Sequence, residues 1–218
     1  MPKVSEEYKQ HLKRRILAAA FKHFSRNGYH KTNLDDVAKS LKIARGTIYL
    51  YFRSKREVFE TLSELQLLHL KELLERHDWT NGDVAATAKT FYIESKQRLP
   101  QNNERMVVEL LAESTRNKEL KRQRRLEIRK MQQIVVEVFQ SQMGEELVSG
   151  KEIREVALGS IALYNGLQVL KVLGYADEEL QNAWARCLSL MIGREFRVSR
   201  RSAEVEGKNL VRQNASLG

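Results

Sequence analysis

The sequence predicts an all-α protein of about nine helices, and three observations carry that reading. Only two prolines and eleven glycines occur in 218 residues, so long stretches run without a helix breaker. Apolar residues recur three and four apart through most of the chain, the repeat of one helical face. No run alternates apolar and polar residues at the period of a strand, and no internal repeat is present.

The elements follow in order. Leu12, Ile16, Leu17, Ala20, Phe21 and Phe24 share one face of a first helix, from about Glu6 to Arg26. Asn27-Gly28-Tyr29 ends it, Gly28 suiting the left-handed position after a helix. Asn33 is placed to cap a short second helix, with Asp35 and Asp36 in its positive first turn. A turn at Lys42-Ile43 leads to a third short helix over Arg45–Tyr51. Ser54-Lys55-Arg56-Glu57 reads as a capping box opening a long fourth helix to about Arg76. His77 to Asp83 reads as a loop, followed by a helix from about Val84 to Arg98 and a break at 99–103. Helices are then expected at about Glu104–Ser114, Lys118–Met143, Glu152–Leu173 and Asp177–Arg197, with a loop at 144–150. The polar, patternless stretch from Val198 onward reads as a disordered tail.

Composition narrows the class. A chain 42% hydrophobic and 30% charged suits one or two globular domains. No run of apolar residues is long enough to span a membrane, and the charged start leads into no apolar signal region, so a cytoplasmic location without membrane partners is expected. Cys187, the single cysteine, excludes an internal disulfide and is expected to be a small core residue.

Charge is concentrated. Residues 1–56 hold 14 Lys and Arg against 4 Asp and Glu, whereas the rest holds 24 of each, so the first quarter carries the whole net charge of +10. A surplus meant for solubility would be spread out. A basic segment that is also patterned for folding suits a polyanion, because each neutralised phosphate releases counterions.

Two short helices joined by a tight turn behind a longer helix make a helix-turn-helix. In the second of them Ile48 and Phe52 are four apart and face the first, leaving Arg45, Thr47, Tyr49 and Tyr51 for the major groove or its flanking phosphates. Gly46 removes a side chain where the helix must approach DNA, and Lys55 adds a cation beside backbone amides that attract phosphate. Arg45 has the strongest claim, being long, basic and early in the helix; Tyr49 could instead pack under the motif, and Thr47 could serve only as a helix former.

The run Gly28-Tyr29-His30-Lys31-Thr32-Asn33-Leu34-Asp35-Asp36-Val37-Ala38, then Ile43 to Phe52, then Ser54-Lys55, resembles the DNA-binding domain of TetR/AcrR-family regulators. The resemblance implies a dimeric, all-helical regulator, usually a repressor, whose C-terminal domain binds a small molecule. It places DNA contacts on Arg45, Thr47, Tyr49, Tyr51 and Lys55, with Thr32 and Asn33 near phosphates. Lys42 stands where the family usually has glycine, and Arg56 replaces a usual acidic residue against the helix dipole.

The expected domains are therefore a DNA-binding domain at 1–56, a ligand-binding and dimerisation domain at 57–200, and a tail at 201–218. The helix at 152–173 is apolar nearly all round: Val156, Leu163, Leu167 and Leu170 on one side, Leu158, Ala162, Val169 and Val172 on the other. Such a helix is covered on both sides. Together with the amphipathic helix after it, it is expected to form half of an intermolecular four-helix bundle, with Leu167 and Leu188 as the residues on which to test dimerisation.

On the helix at 118–143, Arg124 and Glu127 share a side with Leu120, Ile128, Met131 and Val135. They are expected either to form a partly exposed i, i+3 pair or to leave Arg124 as anchor for an anionic ligand, such as an acyl-CoA whose phosphates meet the basic run from Arg116 to Lys130. Tyr92, Phe139, Tyr164 and Asn165, with Trp79 and Phe91, are candidate pocket residues.

The function read from the sequence is a ligand-responsive, sequence-specific regulator: a homodimer bound to double-stranded operator DNA and released by a small apolar or amphipathic effector. A multidrug-sensing efflux repressor of the same family is the alternative. An enzyme is disfavoured because the five histidines show no metal spacing and no phosphate loop or nucleophile elbow occurs; no cofactor is expected. A nonspecific architectural DNA-binding protein would not need the large, neutral C-terminal part.

Overall fold

The computed structural model of the protein describes residues 5–97, 99, 103–143 and 150–192. Several helices begin where a side chain supplies an acceptor for an unpaired amide. Helix α1 (Glu6–Asn27) starts at Ser5, whose hydroxyl accepts from the Tyr8 amide at 3.2 Å, and ends at Gly28 with φ 81°. Gly28 is required by that positive φ, and the mobile end of the Glu109 side chain rests against it. Helix α2 (Leu34–Ser40) is capped by Asn33, and α3 (Arg45–Tyr51) follows a turn in which Lys42 adopts φ 55°. A non-glycine residue there costs on the order of 1 kcal/mol.

Helix α4 (Lys55–Arg76) opens at Ser54, which accepts from the Glu57 amide at 3.2 Å. The return bond of the capping box differs from expectation: the Glu57 carboxylate accepts from the Arg53 amide at 2.6 Å, one residue before the cap. Helices α5 (Val84–Gln97), α6 (Asn103–Ser114), α7 (Lys118–Met143), α8 (Gly150–Val172) and α9 (177–192) complete nine helices and no strand among the described residues. Of the loop expected at 144–150, residues 144–149 lie outside them, as do the end of the last helix and the tail, while Gly150 is already the first residue of α8. No described helix is long and apolar enough to cross a membrane.

The helices bury two apolar clusters. The first joins Leu12, Ile16, Ala20 and Phe24 of α1 to Val37 of α2, Ile48 of α3 and Val58, Phe59 and Leu62 of α4; Met106 and Leu110 of α6 and Leu120 of α7 close it from the far side. The N-terminal unit of α1 to α3 and the start of α4, here the head, therefore packs directly on α6 and α7 through apolar side chains. The second gathers Leu73, Trp79, Phe91, Phe139, Leu167, Leu180, Trp184 and Leu188. The loop after α4 feeds this cluster: Trp79 is fully buried, its indole N–H donates to the Leu74 carbonyl at 3.0 Å, and its amide donates to Gln142 at 3.1 Å.

Helix α8 is the expected two-sided element, but the structure decides which side serves which purpose. Leu167 sits in the protomer's own core, and so does Leu188 of α9. Leu158, Ala162, Val169 and Val172 of α8, with Ala183, Cys187 and Leu190 of α9, are exposed. Cys187 is thus a surface residue rather than the core residue expected.

Candidate functional site

On α3, Ile48 and Phe52 point inward and are buried, which fixes the rotation of the helix. Arg45, Gly46, Tyr49 and Leu50 then share the outward face, while Thr47 and Tyr51 are half-buried at its flanks. Arg45 is oriented by an ion pair with Asp35 of α2 (Nε to Oδ1, 3.0 Å) and lies 5.9 Å from the Tyr49 ring centre. A Cβ at Gly46 would meet nothing, so the backbone there is open to close approach. Leu50, unremarked in the sequence reading, is 84% exposed, an apolar side chain offered to whatever the face meets. Its position was legible: it lies two residues from both Ile48 and Phe52, on the opposite side of the helix.

Three expected contact residues are already engaged. Thr32 is only 3% exposed, and its hydroxyl is held by the Gly28 carbonyl at 2.8 Å, with the His23 carbonyl at 3.1 Å. The Asn33 side-chain oxygen caps α2. Lys55 donates to three carbonyls, those of Tyr29 at 2.8 Å and of His30 and Thr32 at 3.0 Å, and lies 4.7 Å from the Tyr29 ring centre. Burial pushes its ammonium below the usual lysine range. An ammonium has three protons, so a phosphate would have to displace one of these bonds. Arg56, which departs from the family pattern, bridges Glu60 at 2.8 Å and Glu119 of α7 at 3.0 Å. Its charge ties α4 to α7.

Behind the head lies a cavity of about 550 Å3, within the range of small-molecule sites. Its wall includes Arg14, Leu17, Ala18 and Phe21 of α1, Leu62, Leu65, Gln66 and His69 of α4, Asn103 and Met106 of α6, and Trp184 and Leu188 of α9. Of the expected pocket residues, Arg124, Phe139, Tyr164 and Asn165 line it, as do Trp79 and Phe91. Tyr92 does not. Its ring packs between those of Tyr164 and Trp184 at 5.9 and 6.2 Å, and its buried hydroxyl has no hydrogen-bond partner.

Arg124 and Glu127 do pair, Nη1 to Oε2 at 2.5 Å, but not at the surface: their side chains are 10% and 8% exposed. The pair forms part of the cavity wall. No cluster of His, Cys, Asp and Glu suited to a metal ion occurs among the described residues.

Comparison with known proteins meets this geometry. The family model described as bacterial regulatory proteins, tetR family, matches residues 16–62, from the middle of α1 into α4. Over these residues the chain has the DNA-binding domain of the TetR family. The regulator YhgD of Bacillus subtilis is 41% identical over 66 residues, covering 30% of this chain and 33% of that protein. The chain thus matches about a third of that relative's length. Solved structures extend the likeness of fold through the remainder. GusR of Salmonella enterica superposes with a TM-score of 0.62 at 20% identity, covering 87% of this chain and 98% of that one. A transcriptional regulator from Saccharomonospora viridis, solved in complex with choline, gives 0.59 at 18% identity over 80% and 94% of the two chains. At such identity the TetR-family likeness beyond the head is one of fold alone.

Proposed function

We propose that the chain is a homodimeric, ligand-responsive transcription regulator, a repressor that reads a palindromic operator through α3 and is released when its cavity fills. One observation carries the reading: the cavity is walled jointly by α1 and α4, the two helices that also close the core behind the recognition helix. An occupant touches the head's own framework. The contact of Glu109 with Gly28 and the Arg56–Glu119 pair tie the head to α6 and α7, so a shift of the cavity wall is carried to it. A two-fold dimer reads half-sites at one spacing, so a small tilt of the two heads weakens contacts in both. A preference of about 1–3 kcal/mol for the released spacing makes a usable switch.

The exposed apolar stripe on α8 and α9 supports pairing with a second copy. A large net charge borne by the head supports DNA as the partner and the cytoplasm as the location. Arg124, already matched by Glu127, is a poor anchor for the phosphates of an acyl-CoA, which removes the main support for that effector.

Selecting bound duplexes from a random pool tests the reading: enrichment of a palindrome is expected, and a pool with no enriched sequence would sink it. Arg45→Ala should flatten the preference at one position per half-site by about 1–3 kcal/mol.

A further inference from the structure

The guanidinium of Arg124 gives one N–H to Glu127 and leaves another unmatched. Its Nε is buried and has no hydrogen-bond partner, and the residue lines the cavity beneath the head. A buried donor without an acceptor is costly, and more so on a charged group. Asn103, on the cavity wall contributed by α6, likewise has a buried side-chain oxygen without a partner. The remaining surface there is largely apolar, and it runs from α1 to Trp184 and Leu188 of α9.

From this we infer that the cavity takes an elongated, uncharged apolar molecule bearing a carbonyl acceptor, which receives the Arg124 Nε–H. The inference rests on the ligand-responsive reading above and names the class of ligand.

Charge decides between the candidates. Arg124 and Glu127 sum to zero, and both side chains are nine-tenths buried. A carboxylate placed on Nε would lie close to the Glu127 carboxylate bound to the same guanidinium. A quaternary ammonium near Glu127 would lie close to Arg124. Either would bring an unmatched ion against a largely apolar wall and a buried pair that is already neutral, at a cost. The other ionisable wall residues do not change this balance: Arg14 is an exposed residue of α1, and His69 is already paired with Glu72. A neutral ester, amide or ketone satisfies Nε without adding charge.

Calorimetry on the full chain without DNA tests this with three molecules that share one chain length: methyl decanoate, decanoate and decyltrimethylammonium. The ester is expected to bind, and the two ions to bind at least about tenfold more weakly. Arg124→Lys keeps a cation opposite Glu127 but removes Nε, and should weaken the ester by about tenfold. Glu127→Gln leaves the guanidinium without a counter-ion and should turn the preference toward decanoate. If either variant fails to fold, the comparison on the unchanged protein stands alone. Tighter binding of decanoate or of the ammonium, or no binding by any of the three, overturns the proposal. An ester that binds without altering DNA affinity would instead overturn the regulatory reading and leave the ligand class standing.

Discussion

Lys55 Nζ, from the first turn of α4, donates to the Tyr29 carbonyl at 2.8 Å, in the loop that joins α1 to α2. With its further bonds to His30 and Thr32, the lysine gathers that loop and fixes it to α4. Lys55→Met should therefore cost the protein about 1–2 kcal/mol of stability. Its effect on DNA binding should come through the head's integrity, leaving the salt dependence of binding to any duplex unchanged. A direct phosphate contact would lower the slope of log affinity against log salt by about one. Measuring that slope beside thermal unfolding separates the two roles.

Leu50 should read a thymine. An exposed apolar side chain on the groove-facing side of a recognition helix has the thymine methyl as its natural partner. Replacing each thymine of a selected operator by deoxyuridine, one at a time, removes only that methyl. One position per half-site is expected to weaken binding several-fold, and Leu50→Ala should erase the difference. Equal affinity for every uracil-substituted duplex would assign Leu50 no part in recognition.

Dimerisation should depend on the outer faces of α8 and α9. Leu158 is 49% exposed and Leu190 is 50% exposed in the single protomer, so Leu158→Glu or Leu190→Lys should give folded monomers in sedimentation. Leu167→Glu should give unfolded protein instead, because it places a charge in the protomer core. Sedimentation of the Leu158→Glu protein as an unaltered dimer would move the interface elsewhere.

Tyr92 should set part of the alkaline limit of stability. Burial, with smaller contributions from Asp177 and Glu104, pushes its phenol up from 10.0 to about 12. Tyr164 and Tyr29 are raised too, chiefly by burial. Between the unfolded and folded values the native state keeps a proton that the unfolded chain has lost. Stability is thus full below pH 10 and falls as the pH rises toward 12. Tyr92→Phe should flatten that fall. It also removes a buried hydroxyl with no partner, so at neutral pH it should be neutral or stabilising by up to about 1 kcal/mol. Urea unfolding at a series of pH values measures both.

The sequence by itself determined the helices and the head. Asn33 and Ser54 cap where they were expected to, and α3, α4 and α7 end where periodicity and breakers end. Caps and apolar repeats act within one or two turns of chain, so they can be read from neighbours in sequence. The outward placement of Arg45 and Tyr49 follows from the same local geometry once Ile48 and Phe52 are inward.

Only the tertiary structure decided what the long side chains reach. Lys55 meets carbonyls more than twenty residues away, Arg124 and Glu127 are sealed in a cavity wall, and Tyr92 stands behind the pocket it was expected to line. Periodicity showed that α8 is apolar on two sides, but not that Leu167 would face its own core and Leu158 the outside. That choice depends on which helices pack beside α8. It is set by contacts between residues distant in the chain, and the local repeat is the same for either outcome.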